Sequence, residues 1–286
     1  MFTQLTDTVK AALFYAIAFG LTLCVALLAP RLGDGAMLGM MFLHMYTPTV
    51  AAVLMLLVVT RDGHTRAGWS ALGLGRAGLR YWALALLLPP AVLLVVYGMV
   101  WGSGVGHAAL PEGFSLIDFS LDLVINVVLG SGFALGEEIG FRGYLLPRLL
   151  PLGTTRAFLL NGLLHGLWHL PVLLLAGFLP IRGNWLIIGP ILVLTLTAAG
   201  VLYGFLQLKS GSVWPATLAH GSFNTYLGTF ALFTVTGASL ALEYLAGETG
   251  VLTLLVTTLA AGGLVYWLAR RPAPAQPRVT AVEAQI

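Results

Sequence analysis

Charge is what this chain has least of. Of its 286 residues only 9% are Asp, Glu, Lys or Arg, against about 25% in an average soluble protein. It has one cysteine, Cys24, which excludes an internal disulfide. No A-x-A-like processing site stands out, and Leu23 is too large to precede a lipoprotein cleavage site. The first apolar run is therefore expected to stay in place as a helix. No period of about 20–50 residues recurs, so repeat arrays are excluded. A net charge of only +3 gives no nucleic-acid signal and has to be read loop by loop.

What the chain has in abundance is apolar surface: 58% of it is hydrophobic and its mean hydropathy is +0.93. Runs of about 20 residues, enough to cross about 30 Å of hydrocarbon, fall at 11–29, 37–59, 81–101, 116–136, 157–178, 186–208, 214–234 and 251–269. They predict an all-α polytopic membrane bundle of about eight transmembrane helices within residues 1–271. The fourth run is interrupted by Asp118, Asp122 and Asn126. Breakers separate the runs at Pro30 and Gly33-Asp34-Gly35, between Gly102 and Pro111, at Pro147 and Pro151-Leu152-Gly153, and between Pro180 and Gly183. Residues 272–286, rich in Pro, Ala and Gln, are expected to form a disordered cytoplasmic tail.

Basic residues test this count independently. With both termini in the cytoplasm, Lys10, Arg61, Arg66, Arg76, Arg80, Arg148, Arg156, Lys209, Arg270, Arg271 and Arg278 fall inside, against Arg31 and Arg182 outside. This bias supports an even number of spans in a cell membrane, with both ends cytoplasmic.

The few polar groups inside the spans are spaced at i,i+4, so each set lies on one helix face. Glu138 and Arg142 stand in the better orientation for an ion pair. Glu137 lies about 100° around the helix from Glu138 and is expected to be left without a partner. Asn161, His165 and His169 form a second stripe, and His220 with Asn224 a third. Hydrocarbon penalises such groups, so these faces should turn toward one another. By helical rise His169 lies about 18 Å and His220 about 10 Å from the cytoplasmic ends of their helices. The spread predicts a water-filled funnel opening to the cytoplasm. His165 is expected to be hydrogen-bonded in the core, to Asn161, and His44 to be structural. Asp122 and Asn126 are expected to line an outer vestibule or to bind across helices.

A carboxylate, imidazoles and an amide converging in a low-dielectric cavity meet the needs of amide hydrolysis. Glu137 can take a proton from water, and His169 can orient that water or hold a metal that activates it. His220 and Asn224 can donate to a developing oxyanion. Buried Glu, His and Arg would also suit a proton-coupled transporter.

At these residues the chain resembles the CPBP or ABI intramembrane proteases, which include type II CAAX prenyl endopeptidases. Glu137-Glu138-x-x-x-Arg142 is similar to that family's E-E-x-x-x-R motif. His165 and His169 fall on its second motif, an aromatic followed four residues later by His, with His165 in the aromatic's place. His220-x-x-x-Asn224, after Ser212-Val213-Trp214-Pro215, is similar to its H-x-x-x-N motif. The resemblance implies a family core at about 116–234 and an intramembrane endopeptidase acting near the cytoplasmic face. It implies that Glu137 and His169 activate water, that His220 and Asn224 stabilise the oxyanion, and that Glu138 and Arg142 hold the site together with His165. A divalent metal such as zinc, as in a metalloprotease, would take His169, His220 and Glu137. The implied partners are the lipid bilayer and a membrane-associated or prenylated protein or peptide, with no nucleic acid. Two other readings stay open. One is a non-catalytic bacteriocin-immunity-type protein. The other is a proton-coupled transporter, although the polar sites show none of the duplicated, Gly/Pro-broken helices expected of one.

Overall fold

In hydrocarbon a backbone can satisfy its own N–H and C=O groups as a helix, and the apolar runs do so. In a computed structural model, which describes residues 5–177 and 181–270, the long helices are α1 (Asp7–Leu32), α2 (Met37–Leu54), α4 (Trp82–Gly102), α5 (Leu116–Glu138), α7 (Thr154–Leu175), α8 (Trp185–Ser210), α9 (Trp214–Leu232) and α11 (Val251–Ala269). Short helices α3 (Arg66–Ser70), α6 (Leu146–Leu149) and α10 (Ser239–Leu245) lie in the connections. Two-residue strands, β1 (His107–Ala108) and β2 (Thr234–Val235), pair antiparallel. Local chemistry marks the ends. Thr6, Ser115 and Asn184 accept from the first-turn amides of α1, α5 and α8. Gly211, at φ 64°, takes the left-handed turn that ends α8. The predicted tail at 272–286 lies outside the described residues.

Among the described residues, seven helices are long and apolar enough to cross a membrane. The eighth predicted span, α9, falls outside that set because it carries His220 and Asn224 along with Thr and Ser side chains. It is packed between α4 and α5. The fourth span also differs from the expected 116–136. It continues as one helical path over Leu116–Leu152, 37 residues in all. The path widens into a π-helical turn at Ile139–Leu145 before α6. Pro147 does not break it, and sits two residues after the π turn, where the backbone hydrogen-bond pattern changes. The charged motif therefore sits in the bundle's interior rather than in a loop.

Close approach of α7 and α8 depends on two glycines. A Cβ on Gly200 would come 2.5 Å from Gly162 Cα, and one on Gly162 would come 2.6 Å from Thr197 O. Small residues let membrane helices pack backbone to backbone, and here they bring the stripe on α7 up to Tyr203 on α8.

The two ends of the bundle are unlike. Lys10 of α1 pairs with Asp62 at 3.4 Å, so the N-terminal end carries the 60–81 connection. That connection folds back over the bundle. Leu72 is buried beneath it, Trp214 Nε1 donates to Leu74 O at 3.1 Å, and Ser212 Oγ donates to Arg76 O. Beneath this cap Phe141, Tyr144, Leu145 and Leu146 are fully buried. Phe205 of α8 meets Trp267 of α11, which puts the end of α11 on the same side. The opposite end carries the β1–β2 pair, α10, and Arg182 and Gly183, whose backbone amides donate to Glu243.

With the basic end in the cytoplasm, Ala77→Cys in Cys24→Ser protein should react with an impermeant maleimide only from the cytoplasmic side. Ala238→Cys should react only from the outside. The reverse labelling of intact cells would invert the orientation.

Candidate active site

The site is built where α5 passes into its π turn. π turns are local expansions of a helix that often mark functional positions. Here the turn exposes the Phe141 carbonyl to Asn161 Nδ2, which donates to it at 2.7 Å. From the other side α2 holds the same stretch. Tyr46 OH donates to Gly132 O at 2.8 Å and Thr49 Oγ1 donates to Gly136 O at 2.5 Å. Glu137, Glu138, Arg142, Asn161 and His165 are all fully buried.

Arg142 ties the acids to the histidines. Its Nη1 donates to Glu138 Oε1 at 2.8 Å and to His165 Nδ1 at 3.1 Å. The predicted i,i+4 ion pair is therefore present. Glu138 Oε1 also accepts from His220 Nδ1 at 2.9 Å. His165 Nε2 lies 2.6 Å from Glu137 Oε2, so two expectations change. Glu137 is not left without a partner, and His165 is bonded to Glu137 and Arg142 rather than to Asn161. A guanidinium has only donors. His165 Nδ1 must therefore accept, and its proton sits on Nε2, directed at Glu137.

The remaining candidates close around the same oxygen. His169 Nε2 is 3.7 Å and His220 Nε2 4.0 Å from Glu137 Oε2. Glu137 Oε1 has no hydrogen-bond partner among the described residues. Tyr203 stacks on His220 with centroids 5.2 Å apart, and Trp168 stacks on His44 at 4.1 Å. Glu137, His169, His220 and Asn224 line one cavity of about 290 Å³, together with Met41, His44, Leu173, Leu192 and Glu248. The structure thus brings the three polar stripes into one place.

That cavity does not open where the sequence placed it. Met41 is at the start of α2, Leu192 in the first half of α8, Leu173 near the end of α7, and Glu248 in the connection before α11. All belong to the end opposite the termini, while the 60–81 cap closes the terminal end. Helical rise measured the depths of His169 and His220, but not the chain folded across the other side. Two wall residues were missed. His44 had one available signal, since an imidazole in an apolar span is costly by itself. Glu248, in a loop, had none. Burial raises the Glu248 carboxyl above its usual range, opposed by His169 and His220.

Among the described residues, the atoms that come within 4.8 Å of one another and could ligate a metal belong to Glu137, His165 and His169. This group includes His165 in place of the expected His220. While Arg142 holds His165 Nδ1, however, Nε2 carries the proton and has no lone pair to give. Of this group Glu137 and His169 then remain, with His220 Nε2, 4.0 Å from Glu137 Oε2, lying outside it, so it falls short of the three protein ligands usual at a catalytic zinc. As arranged, these residues do not fit a resident metal.

A polar constellation from α5, α7 and α9 around one carboxylate is the pattern the motifs predicted. Residues 118–226 match the family described as Type II CAAX prenyl endopeptidase Rce1-like. The Rce1-like segment runs from the first turn of α5 into α9 and includes all three motifs. It leaves α1, α2, α4 and α11 outside, although α2 supplies His44 and both hydrogen bonds that hold α5. No curated protein matches the chain.

Arg142→Ala removes the charge partner of the buried Glu138 carboxylate and is expected to cost about 3–5 kcal/mol. Yield and thermal midpoint in detergent should fall well below wild type. A variant with wild-type values would show that the guanidinium is dispensable to the fold.

Proposed function

We propose that the protein is an intramembrane endopeptidase that hydrolyses a peptide bond held over Glu137. The single observation that carries this reading is the surrounding of one buried carboxylate oxygen by His165, His169 and His220, with the other oxygen unpaired at a cavity that Asn224 also lines.

Each residue has a role that follows from its partners. His165 Nε2–H donates to Glu137 Oε2 and fixes the carboxylate, so that Oε1 is the oxygen that accepts a proton from water. His169 Nε2 lies close enough to orient that water. As hydroxide adds to the scissile carbonyl, charge develops on its oxygen, and Asn224 and His220 are the donors on that side of the cavity. His220 already directs Nδ1–H at Glu138. To donate from Nε2 its ring must carry both protons, with Glu138 as counter-charge. The proton taken by Glu137 then passes to the departing amine, which closes the cycle.

The family name makes prenylated, membrane-held proteins the first substrates to test. The bilayer supplies their anchorage, and the mouth of the cavity lies at the end of the bundle away from the basic residues.

Glu137→Gln keeps the hydrogen-bonding shape and removes the base. Proteolysis should fall by at least about 10²-fold, within the range for general-base catalysis, with yield and thermal midpoint near wild type. Full cleavage by purified Glu137→Gln protein would remove Glu137 from the chemistry. An in vivo phenotype that the variant rescues in full would point instead to a binding protein on this scaffold.

The donor set also predicts metal content. Wild type purified without chelators should contain far less than one zinc per chain, and dialysis against a chelator should leave cleavage unchanged. About one zinc per chain, lost in His169→Ala, would instead make the activated water a metal-bound one.

A further inference from the structure

The cavity over Glu137 is one of two that meet at Asn224. The second, of about 550 Å³, runs between α5 and α9 and is walled by Phe119, Asp122, Asn126, Phe133, Thr225 and Thr229, with Asn224 at its inner end. Asn224 is the one residue common to both linings. Along α5 the groove extends from Phe119 to Phe133, about 21 Å by helical rise, or roughly six residues of extended chain.

The groove is mostly apolar, with Phe and Leu walls, but it carries polar groups where a lipid-facing surface would have none. Asp122 and Asn126 are exposed on one face of α5, and such groups in a spanning helix ordinarily turn toward protein or water. Asn126 Nδ2 donates to Asp122 O at 2.7 Å, and Thr225 Oγ1 donates to Asn126 O at 3.0 Å. These bonds leave the Asp122 carboxylate out of the network.

Neither lining contains Lys or Arg. Asp122 is the charged group of one, while Glu137 and Glu248 are the carboxylates of the other, beside His44, His169 and His220. Among the described residues neither Asp122 nor Glu248 takes part in an ion pair, and Glu137, which lines the cavity beside Asn224, has one buried oxygen without a hydrogen-bond partner. A carboxylate held near apolar walls gains most from an opposite charge, since water screens it least.

We propose that a substrate chain lies along the α5–α9 groove, crosses Asn224 into the cavity over Glu137, and is selected by Asp122 on one side of the scissile bond and Glu248 on the other for positively charged side chains. This rests on the hydrolysis reading and adds the substrate class: a cationic segment of a membrane-held polypeptide. A carboxylate-bearing segment is disfavoured in either arm by like charge.

The test uses full-length protein in lipid nanodiscs. Its probes are quenched-fluorescent peptides with one fixed apolar sequence and C-terminal apolar tail, carrying Lys, Gln or Glu at single positions up to four residues either side of the cleaved bond. Lys peptides should exceed Glu peptides in kcat/KM by about tenfold, the ratio that about 1.4 kcal/mol supplies, and mainly through KM. Glu248→Gln should remove the preference on one side and Asp122→Asn on the other. Equal turnover of the three peptides by wild type, or a preference intact in both variants, overturns the proposal while leaving hydrolysis standing. Affinities of the same peptides for Glu137→Gln protein, read by fluorescence anisotropy, separate the two claims. If wild type cleaves none of them but Glu137→Gln binds Lys peptides about tenfold more tightly than Glu peptides, hydrolysis fails and the cleft's charge preference stands. If binding shows no such order, the preference fails as well.

Discussion

One buried guanidinium holds this bundle's polar interior together. Arg142 faces Glu138 and His165 from a position with no solvent access. An unpaired charge there would cost several kcal/mol. Its hydrogen bonds therefore constrain three helices at once: α5 through Glu138, α7 through His165 and, by way of Glu138, α9 through His220. The same bond sets the protonation pattern of His165 and so decides which oxygen of Glu137 is occupied. Structure and chemistry are coupled at a residue that touches neither water nor substrate. The π turn is the backbone's part in this, because it lets Arg142 point inward without interrupting the helical path.

Much of this was legible in the sequence because hydrocarbon punishes mistakes. Apolar length gave most helices to within a few residues, though the fourth runs on to Leu152, and the i,i+4 spacing of Glu138 and Arg142 gave their ion pair. His220 with Asn224 and His165 with His169 could be placed on common faces for the same reason. What stayed hidden was contact across the bundle. Nothing local says that His165 reaches back to Glu137 over 28 positions of sequence, or that Glu248 arrives from a loop. Nor does hydropathy show that α9 would be the polar centre of the fold. It was expected as a span at 214–234, but its hydroxyl, amide and imidazole groups leave it less apolar than the seven helices that could cross a membrane, and α4 and α5 pack against it.

Orientation was the least legible feature. Depth along each helix can be counted from its end, but which end is sealed depends on the 60–81 connection, whose Arg and Gly content resembles an ordinary loop. Leu72, Leu74 and Trp214 turn it into a plug, by burial and by hydrogen bonds to backbone carbonyls that leave no local sequence pattern.

The plug also bears on traffic. A chamber capped at one end is reached only from its far end or from the side, along the groove between α5 and α9. Phe141, Tyr144 and Leu145 fill the bundle beneath the cap, so in this conformation nothing passes along its axis. For a cleaving enzyme with its substrate laid across Asn224, the same geometry gives each fragment its own way out, one along the groove and one away from the plug.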